Sequence, residues 1–186
     1  MRKPRPRIGV LAVHSRVVEL RHGDRLLVRP LRRGDTATVV AVFERLGEQS
    51  RRQRFNGVKR SLDERELQSL TAADARHHAL VAYIAGDKRP IAIARLVRTG
   101  RSAEIAIEVA DDYQRRGIGS ALTRELIGDA RAAGITEITA LVSGDNRAAV
   151  AVLRRVLALE IRFDGPALSI RARLPKTARR VVGEVF

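Results

Sequence analysis

Apolar positions along the chain alternate between a period of two and a period of three to four, and the changes of period divide it into elements. Arg16–Arg21 and Arg25–Arg29 are short alternating runs around His22-Gly23-Asp24, which predicts a hairpin. Gly34-Asp35 then precedes Val39, Val42, Phe43 and Leu46, spaced i, i+3, i+4, i+7 as one helix face. Ser61-Leu62-Asp63-Glu64 has the S-x-x-E form of a capping box and opens a helix carrying Leu62, Leu67 and Leu70. The intervening Ser50-Arg51-Arg52-Gln53-Arg54-Phe55-Asn56-Gly57 is polar and reads as irregular. Ala79–Ala85, Ile91–Val97 and Ala103–Ala110 are β-branched-rich and separated by Gly86-Asp87-Lys88 and Thr99-Gly100-Arg101, a strand meander. Ile118, Leu122, Leu126, Ala130 and Ala133 line one helix face, stopped by Gly134. Thr136–Val142 reads as a strand, and Ala149, Val152, Leu153 and Val156 as another helix face. Glu160–Phe163 and Ala167–Arg173 close the series as a hairpin across Asp164-Gly165.

The order is hairpin, two helices, three meandering strands, helix, strand, helix and two strands. It predicts an α+β fold, a mixed sheet with helices on its faces. Residues 1–15 read as a basic flexible arm, 16–175 as a single domain and 176–186 as a basic tail. No repeat or domain-sized linker interrupts the series.

Composition narrows the class. A chain of 186 residues, 45% hydrophobic, can bury about 70% of the surface its unfolded form exposes. No apolar run approaches the roughly 18 residues of a membrane span. The basic start resembles a signal-peptide n-region, but Ile8–Val13 is too short for an apolar core and runs into His14-Ser15-Arg16, so a cytoplasmic protein is expected. With zero cysteines there is no disulfide, thiolate metal site or cysteine acyl-enzyme. The four histidines, His14, His22, His77 and His78, lack metal-ligand spacing, and no metal is expected. The net charge of +15 favours polyanions. Yet the excess is evenly spread arginine, as base composition alone would produce, and aromatics for base stacking make up only 3%. Nucleic acid is therefore disfavoured as a partner.

Gln114-Arg115-Arg116-Gly117-Ile118-Gly119-Ser120 joins a strand to a helix. Glycines there let the backbone approach a ligand, the helix start presents free N–H groups and a positive dipole end, and the arginines add charge for phosphate. A tight turn without a ligand would show the same GxG. Two rival motifs fail: Leu122 stands where a dinucleotide fingerprint needs a small residue, and Ser120-Ala121 where a P-loop needs Lys-Ser/Thr.

The run Ala103-Glu104-Ile105-Ala106-Ile107-Glu108-Val109-Ala110-Asp111-Asp112-Tyr113-Gln114-Arg115-Arg116-Gly117-Ile118-Gly119-Ser120 resembles the acetyl-CoA motif of the GNAT N-acetyltransferase superfamily. Gln114, Gly117 and Gly119 match its Q/R-x-x-G-x-G/A pattern. Asn146-Arg147-Ala148-Ala149 resembles the family's asparagine-led helix, and Arg29-Pro30-Leu31 with Gly34-Asp35 its first strand and turn. The likeness runs in order from Leu26 to Leu174. It implies a mostly antiparallel central sheet flanked by about four helices, with acetyl-CoA as acyl-donor substrate. The implied cofactor-binding residues are Gln114, Arg115, Arg116, Gly117, Ile118, Gly119 and Ser120 for the pyrophosphate, Asn146, and a backbone N–H near Ile107, Glu108 or Val109 for the thioester carbonyl.

Direct acyl transfer needs a deprotonated amine, which a carboxylate can provide. On an extended strand Glu104, Ala106 and Glu108 share one face, the two carboxylates about 13 Å apart. Glu104 stands where the resemblance puts the family's frequent catalytic glutamate; Glu108 is the second candidate, either as base or for orienting the amine. The family's general-acid tyrosine falls on Leu153, which cannot donate a proton, and Val156-Leu157-Ala158 replaces a usual glycine.

Ser50–Phe55, Arg29-Pro30, Leu67–Asp74 and His78–Ala82 resemble the catalytic domain of bacterial protein lysine acetyltransferases (Pat-like) that modify acyl-CoA synthetases. The expected acceptor is therefore a protein lysine, on an acidic or acyl-CoA-synthetase-like partner. Such proteins often carry a nucleotide-binding or synthetase-like domain; none shows in this sequence, and direct nucleotide regulation is not expected. A small-molecule amine acceptor and a non-catalytic CoA-binding module are the alternatives.

Overall fold

The computed structural model describes residues 14–55 and 57–175; the tail expected at 176–186 and all of the basic arm before His14 lie outside them. The predicted first hairpin forms as β1 (Arg16–Glu19) and β2 (Arg25–Pro30). The meander forms as β3 (His77–Ile84), β4 (Pro90–Thr99) and β5 (Ser102–Val109), each antiparallel to its neighbour. β6 (Glu137–Ser143) joins β5 in parallel, and the hairpin of β7 (Glu160–Asp164) and β8 (Ala167–Arg173) adds antiparallel through β8. The result is a mostly antiparallel eight-stranded sheet in the order β1-β2-β3-β4-β5-β6-β8-β7.

Among the described residues five α-helices accompany it, one more than the pattern predicts: α1 (Thr36–Glu44), α2 (Glu48–Phe55), α3 (Glu64–Leu70), α4 (Ile118–Ala132) and α5 (Arg147–Arg154). The unexpected one is α2, where the polar run reads as irregular. It has no fully buried residue and thus no apolar stripe for periodicity to detect. Specific contacts hold it instead, among them the Phe55 ring edge-on to Phe43 at 5.7 Å and Arg51 over Phe43 at 4.3 Å. The capping box also sits two residues later than the S-x-x-E reading. Asp63 is the N-cap: its carboxylate accepts from the Glu66 N–H at 2.8 Å, and Glu66 Oε2 accepts from the Asp63 N–H at 2.9 Å.

Alternation along the strands sends one set of side chains to each face. On one face Leu80, Ala94 and Ile105 pack with Ile118, Leu122, Leu126 and Ala130 of α4 and Leu153 of α5. On the other, Val81 and Ile93 pack with Val39 and Val42 of α1 and with Leu67 and Leu70 of α3. Arg16 and His78 fasten α4 to the sheet: Arg16 donates to both Asp129 oxygens at 2.9 and 2.7 Å, and His78 Nε2 lies 2.9 Å from Oδ2. Burial pushes Asp129 up, but the His78 and Arg16 contacts outweigh it and hold the carboxyl below its ordinary range. Both histidines of β3 pair with carboxylates, His77 with Asp74 and His78 with Asp129.

Candidate active site

The strands that flank the site part company. β5 and β6 pair only at Ser102↔Glu137, Ala103↔Ile138 and Glu104↔Thr139; beyond these, 105–109 of β5 have no partner on β6. Both strands continue, so a cleft opens between them. α5 forms part of its wall and the start of α4 stands at its mouth. The cavity, about 470 Å³, is lined from β5 by Glu104–Val109, from the loop by Tyr113, Gln114, Arg115, Gly117, Gly119 and Ser120, and from α5 by Asn146, Val152 and Leu153. Residues far apart in sequence thus converge on one cavity. The side chains of Arg116 and Ile118 lie outside the cavity lining, Arg116 paired with Asp24 at 2.7 Å and Ile118 buried in the core, which leaves the backbone N–H of Ile118 at the start of α4 as its part toward a ligand.

The loop's geometry suits an anion. Gly117 is the N-cap of α4 with φ +83°, and no side chain caps it among the described residues. The first N–H groups of the helix are therefore left for a ligand or water, at the positive end of a 15-residue helix. Arg115 adopts φ +60°, a left-handed conformation that costs a non-glycine residue roughly 1 kcal/mol. Gln114 turns its side-chain amide inward, donating to Val109 O at 3.1 Å, Asp111 Oδ1 at 3.0 Å and Ser50 Oγ at 3.2 Å. Its side chain thus staples the loop to the end of β5 and to α2. The Ser120 hydroxyl, buried on the cleft lining, has no partner among the described residues, and a phosphate or amide group of a bound ligand would satisfy it. Asn146 is the N-cap of α5, accepting from the Ala149 N–H at 2.9 Å through Oδ1, which leaves its amide nitrogen for the cleft.

The two candidate carboxylates sit in different settings. Glu104 and Glu108 do share a face, opposite Ile105, Ile107 and Val109, which pack toward α4. Glu104 is exposed, lines the cleft and stands at the last paired position before β5 and β6 diverge. Glu108 is 7% exposed and clasped: Arg54 Nε donates to Oε2 at 2.8 Å, and Arg95 Nη1 donates to Oε1. Burial alone would raise its pKa, but the guanidiniums of Arg95 and Arg54 hold it below the ordinary carboxylate range. A carboxylate so stabilised as an anion is a poor proton acceptor.

The role of Arg54 and Arg95 is not apparent from local motifs. Arg95 interrupts the apolar run Ile91–Val97, and a charge buried in such a strand needs a partner. That was the available signal. Its partner Glu108 lies on the neighbouring strand, where Glu108 faces Ile93 in the register. Removing one member of a buried pair typically costs about 3–5 kcal/mol, so Glu108→Gln is expected to destabilise by that order at neutral pH. Because the folded pKa of Glu108 is lowered, its stabilisation is present above the ordinary 4.5 and lost as pH falls through the folded value. Urea unfolding at several pH values should therefore show the wild type and the variant converging in acid. An equal gap at every pH would count against the ion pair.

Leu153, the position of the missing acid, is 4% exposed and lines the cleft. Tyr113 also lines it, but its ring lies between Arg45 at 4.9 Å and Arg116 at 5.1 Å. Among the described residues no cluster of His, Cys, Asp and Glu could hold a metal ion, and no helix is long and apolar enough to cross a membrane.

Comparison with known proteins agrees with this architecture. The model of the acetyltransferase (GNAT) family matches residues 43–158. Acetyltransferase Pat of Mycolicibacterium smegmatis is 33% identical over 151 residues, 79% of this chain and 45% of that protein. This chain therefore spans less than half the length of that relative. Acetyltransferase PA5475 of Pseudomonas aeruginosa is 32% identical over 137 residues, 71% of this chain and 74% of that protein. The crystal structure of the GNAT domain of S. lividans PAT superposes with a TM-score of 0.79 at 27% identity, covering 86% of this chain and 97% of that one. The chain thus belongs to the GNAT family of N-acyltransferases and has Pat acetyltransferases among its homologues.

Proposed function

We propose that the protein transfers an acetyl group from acetyl-CoA to a protein lysine by direct attack, in the cytoplasm, with 16–175 as the catalytic unit. The observation that carries this reading is Glu104, an exposed carboxylate on the cleft lining where β5 and β6 diverge toward the uncapped start of α4. Acyl-CoA supplies the activated acyl group. Free N–H groups of 118–120 and the Ser120 hydroxyl suit its phosphates, and a backbone N–H among 107–109 suits its carbonyl. Glu104 takes the proton from the attacking amine. Glu108 already holds two guanidiniums and serves the framework. The resemblance of Ser50–Phe55, Leu67–Asp74 and His78–Ala82 to protein lysine acetyltransferases supports a protein acceptor. The test is incubation with acetyl-CoA and a lysate of the source organism, followed by mass-spectrometric mapping. New acetyl-lysines are expected; acetylated free amines alone would move the acceptor to a small molecule.

Leu153 favours one second reading, a CoA-binding module without turnover, because no hydroxyl stands at that place. A thiolate is nevertheless a tolerable leaving group. Leu153→Tyr is accordingly expected to change turnover less than about threefold while overpacking costs about 1–3 kcal/mol. Turnover and thermal unfolding measured together check this. A much faster, folded variant would mean that proton donation limits the wild type.

A further inference from the structure

α2 lies across the mouth of the divergence and touches both β5 and β6. It contributes Ser50, Gln53 and Arg54 to the cleft lining, yet none of its residues is fully buried. What fixes it on that side is polar. Arg54 Nε donates to Glu108 Oε2 at 2.8 Å, on the strand that forms one wall. Ser50 Oγ accepts from Gln114 Nε2 at 3.2 Å, at the beginning of the glycine loop. Gln53 stands beside them on the cleft lining. Each contact thus ends on an element that borders the acyl-CoA half of the cleft. Of the two, the Arg54 ion pair is the less exposed and is anchored in the core, because Glu108 is itself locked to buried Arg95.

A helix with no buried apolar side belongs to the low-stability end of a fold, where a few contacts decide whether it is in place. The two elements to which α2 is tied, β5 and the glycine loop, both line the cleft. We propose that Arg54 and Glu108 are positioning residues for the transfer reaction: their ion pair sets α2 as a wall of the cleft and couples the order of that wall to occupancy by the acyl donor. Neither residue exchanges a proton with substrate. The proposal rests on the reading of the cleft as an acyl-CoA site.

The test uses CoA as probe and needs no acceptor. Calorimetry and amide hydrogen exchange are measured on the full chain for the wild type, Arg54→Met and Arg54→Lys. Arg54→Met leaves Glu108 paired with Arg95, so the outcome does not depend on a variant that strands a buried charge. CoA is expected to slow exchange across 48–55 by about tenfold or more in the wild type. In Arg54→Met that protection disappears, and by reciprocity CoA affinity falls by no more than the same factor, about tenfold. Arg54→Lys, which keeps the charge, restores part of it, a rescue that loss of packing would not give. Protection at 48–55 that is absent from the wild type, or that persists in Arg54→Met, overturns the proposal. So does a fall in CoA affinity of about a hundredfold or more, well beyond the protection lost, which would make Arg54 a direct contact of the donor. A wild type that fails to bind CoA removes the acyl-CoA reading as well, whereas binding without protection removes the positioning role alone.

Discussion

Glu104→Gln is expected to lower the rate of amine transfer by about 10²–10⁴-fold, with acetyl-CoA affinity nearly unchanged. A lysine amine with an ordinary pKa near 10.4 is neutral at pH 7 in roughly one molecule in 2,500, so proton removal is a large part of the task. The glutamine keeps size and polarity but accepts no proton, and it sits on an exposed strand position where nothing in the core depends on the charge. Stability should therefore stay within about 0.5 kcal/mol of wild type. The deficit should shrink as pH rises toward the amine's own pKa, because solvent then does what the carboxylate did. Steady-state kinetics from pH 6.5 to 10 with an acetyl-lysine-mapped acceptor measure this. A deficit that is constant across the range would mean that Glu104 acts by charge or by contact, not as a base. A larger loss in the chemical step for a folded Glu108→Gln would move the role to Glu108.

The contrast between the two glutamates marks the limit of what a linear reading can reach. Strand period puts both on one face, and the structure has them there. What separates them is tertiary: β4 delivers Arg95 and α2 delivers Arg54 to one and not to the other. Arg95 is legible as an anomaly within an apolar strand, but its partner is set by the β4–β5 register. Arg54 belongs to a helix that periodicity could not reveal, since α2 turns no apolar stripe inward. The elements that bury a face were legible, in contrast. α4 hides Ile118, Leu122, Leu126 and Ala130, so burial wrote its period into the sequence, whereas β3 and β4 are buried on both faces and read as near-continuous apolar runs. The cleft is legible only as two of its parts, the glycine loop and the asparagine cap. Its opening depends on β5 and β6 pairing for three residues and then diverging, a fact of the sheet that no local motif carries.

Gly119→Glu is expected to abolish acetyl-CoA binding in a protein that remains folded, a loss of about 100-fold or more in affinity. Gly117 would be a poor choice for this test, because its φ of +83° strains any side chain regardless of ligand. Gly119 has no such restriction. A Cβ built there lies 3.6 Å from Val109 Cγ2 and 3.6 Å from Val152 Cγ2, ordinary contacts in the apoprotein. Those two valines come from β5 and α5 and both line the cleft, so the same Cβ projects between its walls. The remainder of the glutamate then extends into the space a ligand must cross, and its charge lies beside the free N–H groups of α4. There it stabilises the helix start by roughly 0.3–1 kcal/mol, as an anion at that end does, while repelling a phosphate. Thermal stability should thus be equal to or above wild type even as calorimetric binding vanishes. Gly119→Ala separates bulk from charge: it fits the fold equally well, and a smaller loss of about tenfold is expected from the methyl alone. If a folded Gly119→Glu binds acetyl-CoA as the wild type does, the pyrophosphate does not sit at the start of α4, and the anion-binding assignment of 115–120 is wrong.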